Sequence, residues 1–258
     1  MFRNISPLFE DKKILTKSML ESLRDYPRSL FGILHQDYSD GILSGCGLSV
    51  RAEKLWVEPG ILYRGRVPYL LEEPYGLEVE ADGKETYLKI CFEDRISGSQ
   101  QEEYRSCLYL DGKAPDVERE MELARFKLQP GARLRDVWTD FEDYSTEFDT
   151  INRIHVPYAA PKRSSIFPEV LKSFARELLV SPGKEPWDAA FCMNALQTER
   201  AMPYEAVETY VNLRLERQRS GYTNKEIYDS LKQILAEARG KERSPAAAGR
   251  EGRKMLLI

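Results

Sequence analysis

The chain has 258 residues, 42% of them hydrophobic and 31% charged, with a formal net charge of −4. This is the balance of a globular, water-soluble body. Residues Arg239 to Ile258 hold six basic and two acidic groups, which leaves about −8 on the rest of the chain. An acidic body does not steer a polyphosphate toward itself. No apolar run approaches the roughly 20 residues of a membrane span. The opening MFRNISPLFEDKK lacks the apolar core of a secretion signal. The expectation is a protein held in the cytoplasm unless it leaves as part of a particle.

In chain order, the first segment runs over residues 1–29. Leu15, Met19 and Leu23 recur at helical spacing, so Lys12 to Arg24 reads as a short amphipathic helix. Pro27 is expected to stop it, because the residue before a proline is pushed out of the helical region.

Residues 30–130 carry strand signals. Leu55, Val57, Ile61, Tyr63, Val67, Tyr69 and Leu71 alternate with more polar neighbours, and glycines punctuate the runs. Tyr87–Phe92 and Tyr104–Leu110 read as a hairpin with a polar loop over Asp94 to Glu103. A further run, Glu122 to Leu128, ends before Pro130-Gly131. Residues 131–164 form a bridging segment in which Thr150 to Val156 looks like a strand ended by Pro157 and Pro161.

From residue 165 to 238 the pattern is helical. Phe167, Val170, Leu171, Phe174 and Leu178 share a face, with Pro168 in the first turn. Pro186 opens a second helix with Trp187, Ala190, Phe191 and Ala195 inward. Pro203 opens a third with Val207, Tyr210, Val211 and Leu215, which Gly221 can end in a left-handed cap. Thr223 and Glu226 form a capping box ahead of Ile227, Leu231, Ile234, Leu235 and Ala238. Residues 239–258 are rich in Arg, Gly and Ala and read as a disordered basic tail. The fold class expected is α+β: an N-terminal antiparallel β-sandwich or small barrel followed by a C-terminal helical bundle. A small bundle buries a limited core, so another subunit is expected to complete some of the helices' apolar surface.

Chemistry was sought residue by residue. The only phosphate-loop-like spacing, Gly60 to Gly65, is followed by Arg66-Val67 and lacks the required lysine and hydroxyl. A hairpin turn explains it. His35 and His155 are each more readily a packed side chain than a base. Cys46, Cys91, Cys107 and Cys192 form no zinc-like spacing and read as buried reduced thiols, with Cys91 and Cys107 able to face each other. No catalytic residue, metal ligand or cofactor is expected. The acids Asp136, Asp140, Glu142, Asp143, Glu147 and Asp149 lack the order of a calcium loop. Interleaved with the aromatics Trp138, Phe141, Tyr144 and Phe148, they suggest a solvated face or interface rim. A helix-turn-helix reading of Gly221 onward has little support: nine basic and eleven acidic residues lie between 166 and 238.

The segment Asp37-Tyr38-Ser39-Asp40-Gly41-Ile42-Leu43-Ser44-Gly45, followed by Leu55-Trp56-Val57-Glu58-Pro59-Gly60-Ile61-Leu62-Tyr63-Arg64-Gly65, resembles the start of the β-domain in phage baseplate and tail-fibre adaptor proteins. With Phe141-Glu142-Asp143 and Ile154-His155-Val156-Pro157-Tyr158-Ala159, the longer pattern resembles a group carried in Firmicutes prophage and tail-like clusters, sometimes labelled "DNA and RNA helicase". The resemblance implies a structural component of a phage tail or tail-like particle. It also implies an attachment module turned by Gly41, Gly45, Gly60 and Gly65, tail or baseplate proteins as partners, and self-association. The alternative is a nucleic-acid-associated or regulatory binding protein acting through the helices and basic tail.

Overall fold

The computed structural model describes residues 4–9, 11, 14–97 and 102–240. The tail after Gly240 lies outside the described residues; Arg239 and Gly240 belong to the last helix.

Helix α1 spans Lys17–Leu34, with the Thr16 hydroxyl accepting the Met19 amide at 3.4 Å. It runs through Pro27 instead of stopping there. Proline removes one N–H and frees the Leu23 carbonyl. No residue of α1 is buried, so water can take that carbonyl. The far end of α1 is pinned by His35, whose Nδ1 donates to the Phe31 carbonyl at 2.9 Å and whose own carbonyl accepts the Tyr63 hydroxyl at 3.2 Å.

The next six strands form one bent meander. β1 (Gly41–Gly45) and β2 (Leu48–Arg51) are two halves of a single long strand, as are β3 (Lys54–Val57) and β4 (Gly60–Arg64). The pair Gly45↔Gly60 is followed by Cys46 N–H to the Pro59 carbonyl, Glu58 N–H to the Gly47 carbonyl, then Leu48↔Val57. The register is therefore unbroken across the bend. β5 (Val67–Leu71) and β6 (Tyr75–Glu78) lie along β4 and β3 on the far side. The Gly65-Arg66 reversal has positive φ at both residues, 55° and 66°, as a two-residue hairpin loop needs. Ala52-Glu53 does the same with no glycine, at φ 49° and 61°.

The second sheet is antiparallel in the order β10 (Ser106–Asp111), β7 (Glu85–Phe92), β11 (Glu120–Lys127). The hairpin expected from sequence is present. Its loop carries the short pair β8 (Ile96–Ser97) and β9 (Glu102–Glu103), with the tip outside the described residues. Leu88, Ile90 and Phe92 face the meander across a shared core, while Lys89 points the other way. Among the described residues no barrel closes.

The stretch 146–161 is not a strand but a lacing of single bridges. Asn152 pairs with Arg125 and covers the outer edge of β11; Pro157 to Ala159 pairs with Ile42 and covers β1. Ile151, Ile154 and Val156 are fully buried between sheets and helices.

The C-terminal part is all helix: α2 (Pro168–Val180), α3 (Pro186–Gln197), α4 (Tyr204–Arg214) and α5 (Asn224–Gly240). α2 and α5 bury the stripes read from sequence. α3 turns differently: Asp188, Phe191, Cys192 and Ala195 are inward, while Trp187 and Ala190 are exposed. The reason is Asp188, which accepts the Glu185 amide and the buried Tyr210 hydroxyl and so fixes the helix's rotation. After α4 the left-handed position is taken by Glu216, not Gly221; Gly221 has φ 80° ahead of α5, where its amide donates to Glu208 at 2.7 Å. The Thr223–Glu226 capping box is formed, with reciprocal bonds of 2.8 and 3.2 Å. One hydrophobic cluster runs without interruption from Ile42 to Ala238. The stripes of α2 and α5 are thus closed within the chain, while Val180, Trp187, Met193 and Leu213 on the helices stay exposed.

Candidate assembly surfaces

Three of the four glycines singled out from sequence act through close approach. A Cβ on Gly41 would lie 2.6 Å from the Ala159 amide, one on Gly45 2.3 Å from the Pro59 carbonyl, and one on Gly60 2.3 Å from the Cys46 amide. Gly45 and Gly60 thus let the two long strands cross at the bend. Only Gly65 sits in a hairpin turn, with open space around it.

The bend opens a cleft. Tyr69, Leu71 and Tyr75 line one wall, Ile90 and Leu108 the other, and Cys46 and Leu123 the floor, around a volume of about 280 Å³. Leu70 and Tyr75 stand at its rim, 63% and 48% exposed. Tyr69 meets Phe92 and Tyr104 edge-on at 4.9 and 6.4 Å. The strands flanking the mouth, β5 and β10, have no described strand on their outer sides. Pro68 on β5 blunts that edge.

The acidic and aromatic segment is consumed internally. Asp136 accepts the Val50 amide, Asp140 the Asp143 amide and Asp149 the Gln129 amide. Glu142 meets Lys232 and Arg239, and Glu147 meets Lys127. Arg135 grips both oxygens of Asp143 at 2.7 and 2.6 Å. Burial would push the Asp143 carboxyl up, but hydrogen bonds from Arg135, the Thr139 amide and Thr146 outweigh it and hold it at about 2. Among the described residues no three His, Cys, Asp or Glu side chains come together as a metal site. Of the four aromatics proposed as an interface, Phe141 is buried against Phe174 and Tyr228, and Tyr144 is buried with Trp138 stacked on it at 4.8 Å. These two offer no surface to a partner. Phe148 is 49% exposed, under the ammonium of Lys127.

The remaining reactive groups are structural in their surroundings. His35 is buried, with the Arg200 guanidinium 3.3 Å from Nε2. Burial and the Arg125 charge lower the pKa of His155. Burial pushes the thiols of Cys46 to about 11 and Cys192 to about 12. Cys91 and Cys107 are register partners on β7 and β10, but Cys107 is exposed instead of buried.

No protein-family model matches the chain, and no curated protein matches it. Two solved structures are similar in outline. One is described as the crystal structure of TssK, with 9% identity, a TM-score of 0.41, and coverage of 91% of this chain and 68% of that one. The other is described as the TssK-TssF-TssG baseplate subcomplex of the type VI secretion system, with 8% identity, a TM-score of 0.38, and coverage of 92% and 99%. Among the described residues no helix is long and apolar enough to cross a membrane.

Two buried polar clusters escaped the sequence reading. Lys89, with 2% of its side chain exposed, donates to Asp111 and Glu120 at 2.9 Å each. Asp188 joins Tyr210 and Arg214 between α3 and α4. The first left no signal beyond a lysine inside an apolar strand. The second had one: Glu185 and Asp188 flank Pro186 at capping-box spacing.

Proposed function

We propose that this chain is a structural assembly component of a phage-tail-like particle, working at the baseplate or at the attachment of tail fibres, with no catalytic step of its own. The observation that carries this reading is the apolar cleft between the outer strands β5 and β10, rimmed by Leu70 and Tyr75. Large side chains gathered around an open groove mark a protein contact surface. The cleft lies in the glycine-bent meander that carries the resemblance to tail adaptor proteins. Its partners in this reading are other tail or baseplate proteins, and its residence is the cytoplasm before assembly and the particle afterwards. The nucleic-acid alternative gains nothing from α5, whose apolar face is buried in the chain's own core and is not free to enter a groove.

The test is recovery. A tagged chain expressed in cells that make the particle should sediment with purified particles and stay there in high salt. Recovery only in the soluble fraction, with DNA bound along a steep salt slope, would overturn the reading.

A further inference from the structure

Eleven of the twenty-one exposed large hydrophobic side chains among the described residues lie between Ile5 and Leu34. Helix α1, which occupies the second half of that stretch, has no buried residue. A helix held in water by its own chain normally shows a polar outer face. α1 instead has a divided one. Lys17, Glu21, Arg24, Asp25 and Arg28 share one side, with Lys17 and Glu21 at 3.5 Å and Arg24 and Asp25 at 2.6 Å. Met19, Leu23, Tyr26, Leu30 and Ile33 share the other, at successive spacings of four, three, four and three.

That alternation is the heptad seam of a coiled coil. Leu23 and Leu30 take the a positions, and Met19, Tyr26 and Ile33 the d positions. The flanking g positions are Ser22 and Ser29, and the flanking e positions are Leu20, Pro27 and Leu34. No charge stands at e or g, so identical helices meet without like-charge repulsion. Leu23 and Leu30 at a with Ile33 at the last d position favour trimers or tetramers over dimers; Met19 and Tyr26 hold the other two d positions, and Leu20 and Leu34 extend the apolar face beside the seam. The C-terminal end of α1 is fixed to the body through His35 and Tyr63, so copies arranged around an axis present their seams in parallel. Leu23, Tyr26, Leu30 and Ile33 on the seam and Leu20 and Leu34 beside it are 42–65% exposed, so the apolar face is open along the length of α1.

We infer that α1 is a self-association helix, joining three or four copies of this chain in a parallel bundle along the Met19–Ile33 seam. The inference does not depend on the particle reading, because it concerns the isolated protein.

Sedimentation equilibrium of the purified full chain tests it. The wild type should have three or four times the 29.8 kDa chain mass. Leu23→Glu with Leu30→Glu should have the single-chain mass and keep the wild-type far-UV circular dichroism, since neither side chain is buried in the single chain. If the two glutamates disturb folding, Leu30→Ser alone must weaken association at least tenfold. Leu70→Glu with Tyr75→Glu at the cleft should leave the mass unchanged. A wild type at the single-chain mass, an α1 variant that keeps the wild-type mass, or loss of the oligomer in the cleft variant would overturn the inference.

Discussion

Replacing Asp143 by asparagine removes the charge at the centre of the segment joining sheets to helices. The carboxylate accepts from Arg135 at 2.7 and 2.6 Å, from the Thr139 amide at 2.8 Å and from the Thr146 hydroxyl at 2.9 Å. Asparagine keeps one acceptor oxygen and turns an NH₂ group toward donors, so at least two of these bonds are lost and Arg135 loses its counter-charge. Charge-assisted bonds of this kind are worth about 1.5–3 kcal/mol each, and their loss together is expected to cost about 3 kcal/mol. The pH dependence makes the cause visible. The folded-state carboxyl is held at about 2, below its unfolded value of about 3.9. The stabilisation is therefore present above the unfolded value and lost as pH falls toward the folded one. It amounts to about 2–3 kcal/mol near neutrality. Urea unfolding of both proteins from about pH 7 down to about pH 3 should show the gap between them narrowing by about 1 kcal/mol. A gap that stays constant over that range would refute an electrostatic role for Asp143.

The glycines separate by surroundings: Gly60→Ala should cost more than about 3 kcal/mol, because the new Cβ meets backbone, whereas Gly65→Ala should cost about 1 kcal/mol in the open turn; comparable losses in chemical denaturation would contradict the strand crossing. Tyr228→Phe removes a hydroxyl that donates to the Phe141 carbonyl at 2.8 Å and should lower stability by about 1–2 kcal/mol, while an unchanged urea midpoint would mean that this tie between α5 and the junction contributes nothing. In the native protein a thiol reagent near neutral pH should label Cys107 first and leave Cys46 and Cys192 unmodified, as their burial and raised pKa values require; rapid loss of all four thiols would show a looser core.

Much of this architecture was legible in the residues. The apolar stripes of α2 and α5, the Thr223–Glu226 box and the hairpin through Tyr87–Phe92 are local patterns, and the fold obeys them. What the sequence did not reveal was long-range. Pro27 gives a local stop signal, and only the solvent around α1 lets the helix pass it. Thr150 to Val156 has strand composition, yet the chain runs past the outer edges of β11 and β1 and pairs with each only at isolated residues, so it bridges instead of joining a sheet. The carboxylates from Asp136 to Asp149 look solvated one by one, and their partners lie on β2, at the end of β11 and just past it, on α5 and within the same segment. At the candidate surface, Gly45 and Gly60 were visible as glycines, but the strand crossing they permit appears only when the register brings them opposite each other. The cleft combines residues from Cys46 to Leu123 and has no contiguous signature. The α1 stripe was visible as amphipathic, and the fold shows that nothing in the chain covers it.

In the proposed role, the cleft between β5 and β10 seats this chain in a tail-like particle. Particles should be purified from producing cells that express either the wild type or the Leu70→Glu, Tyr75→Glu variant, and the amount of the chain in each measured. The variant should fold with wild-type stability, because both side chains are exposed, and be depleted from particles at least tenfold. Equal recovery of the folded variant and the wild type in the particle fraction would contradict it.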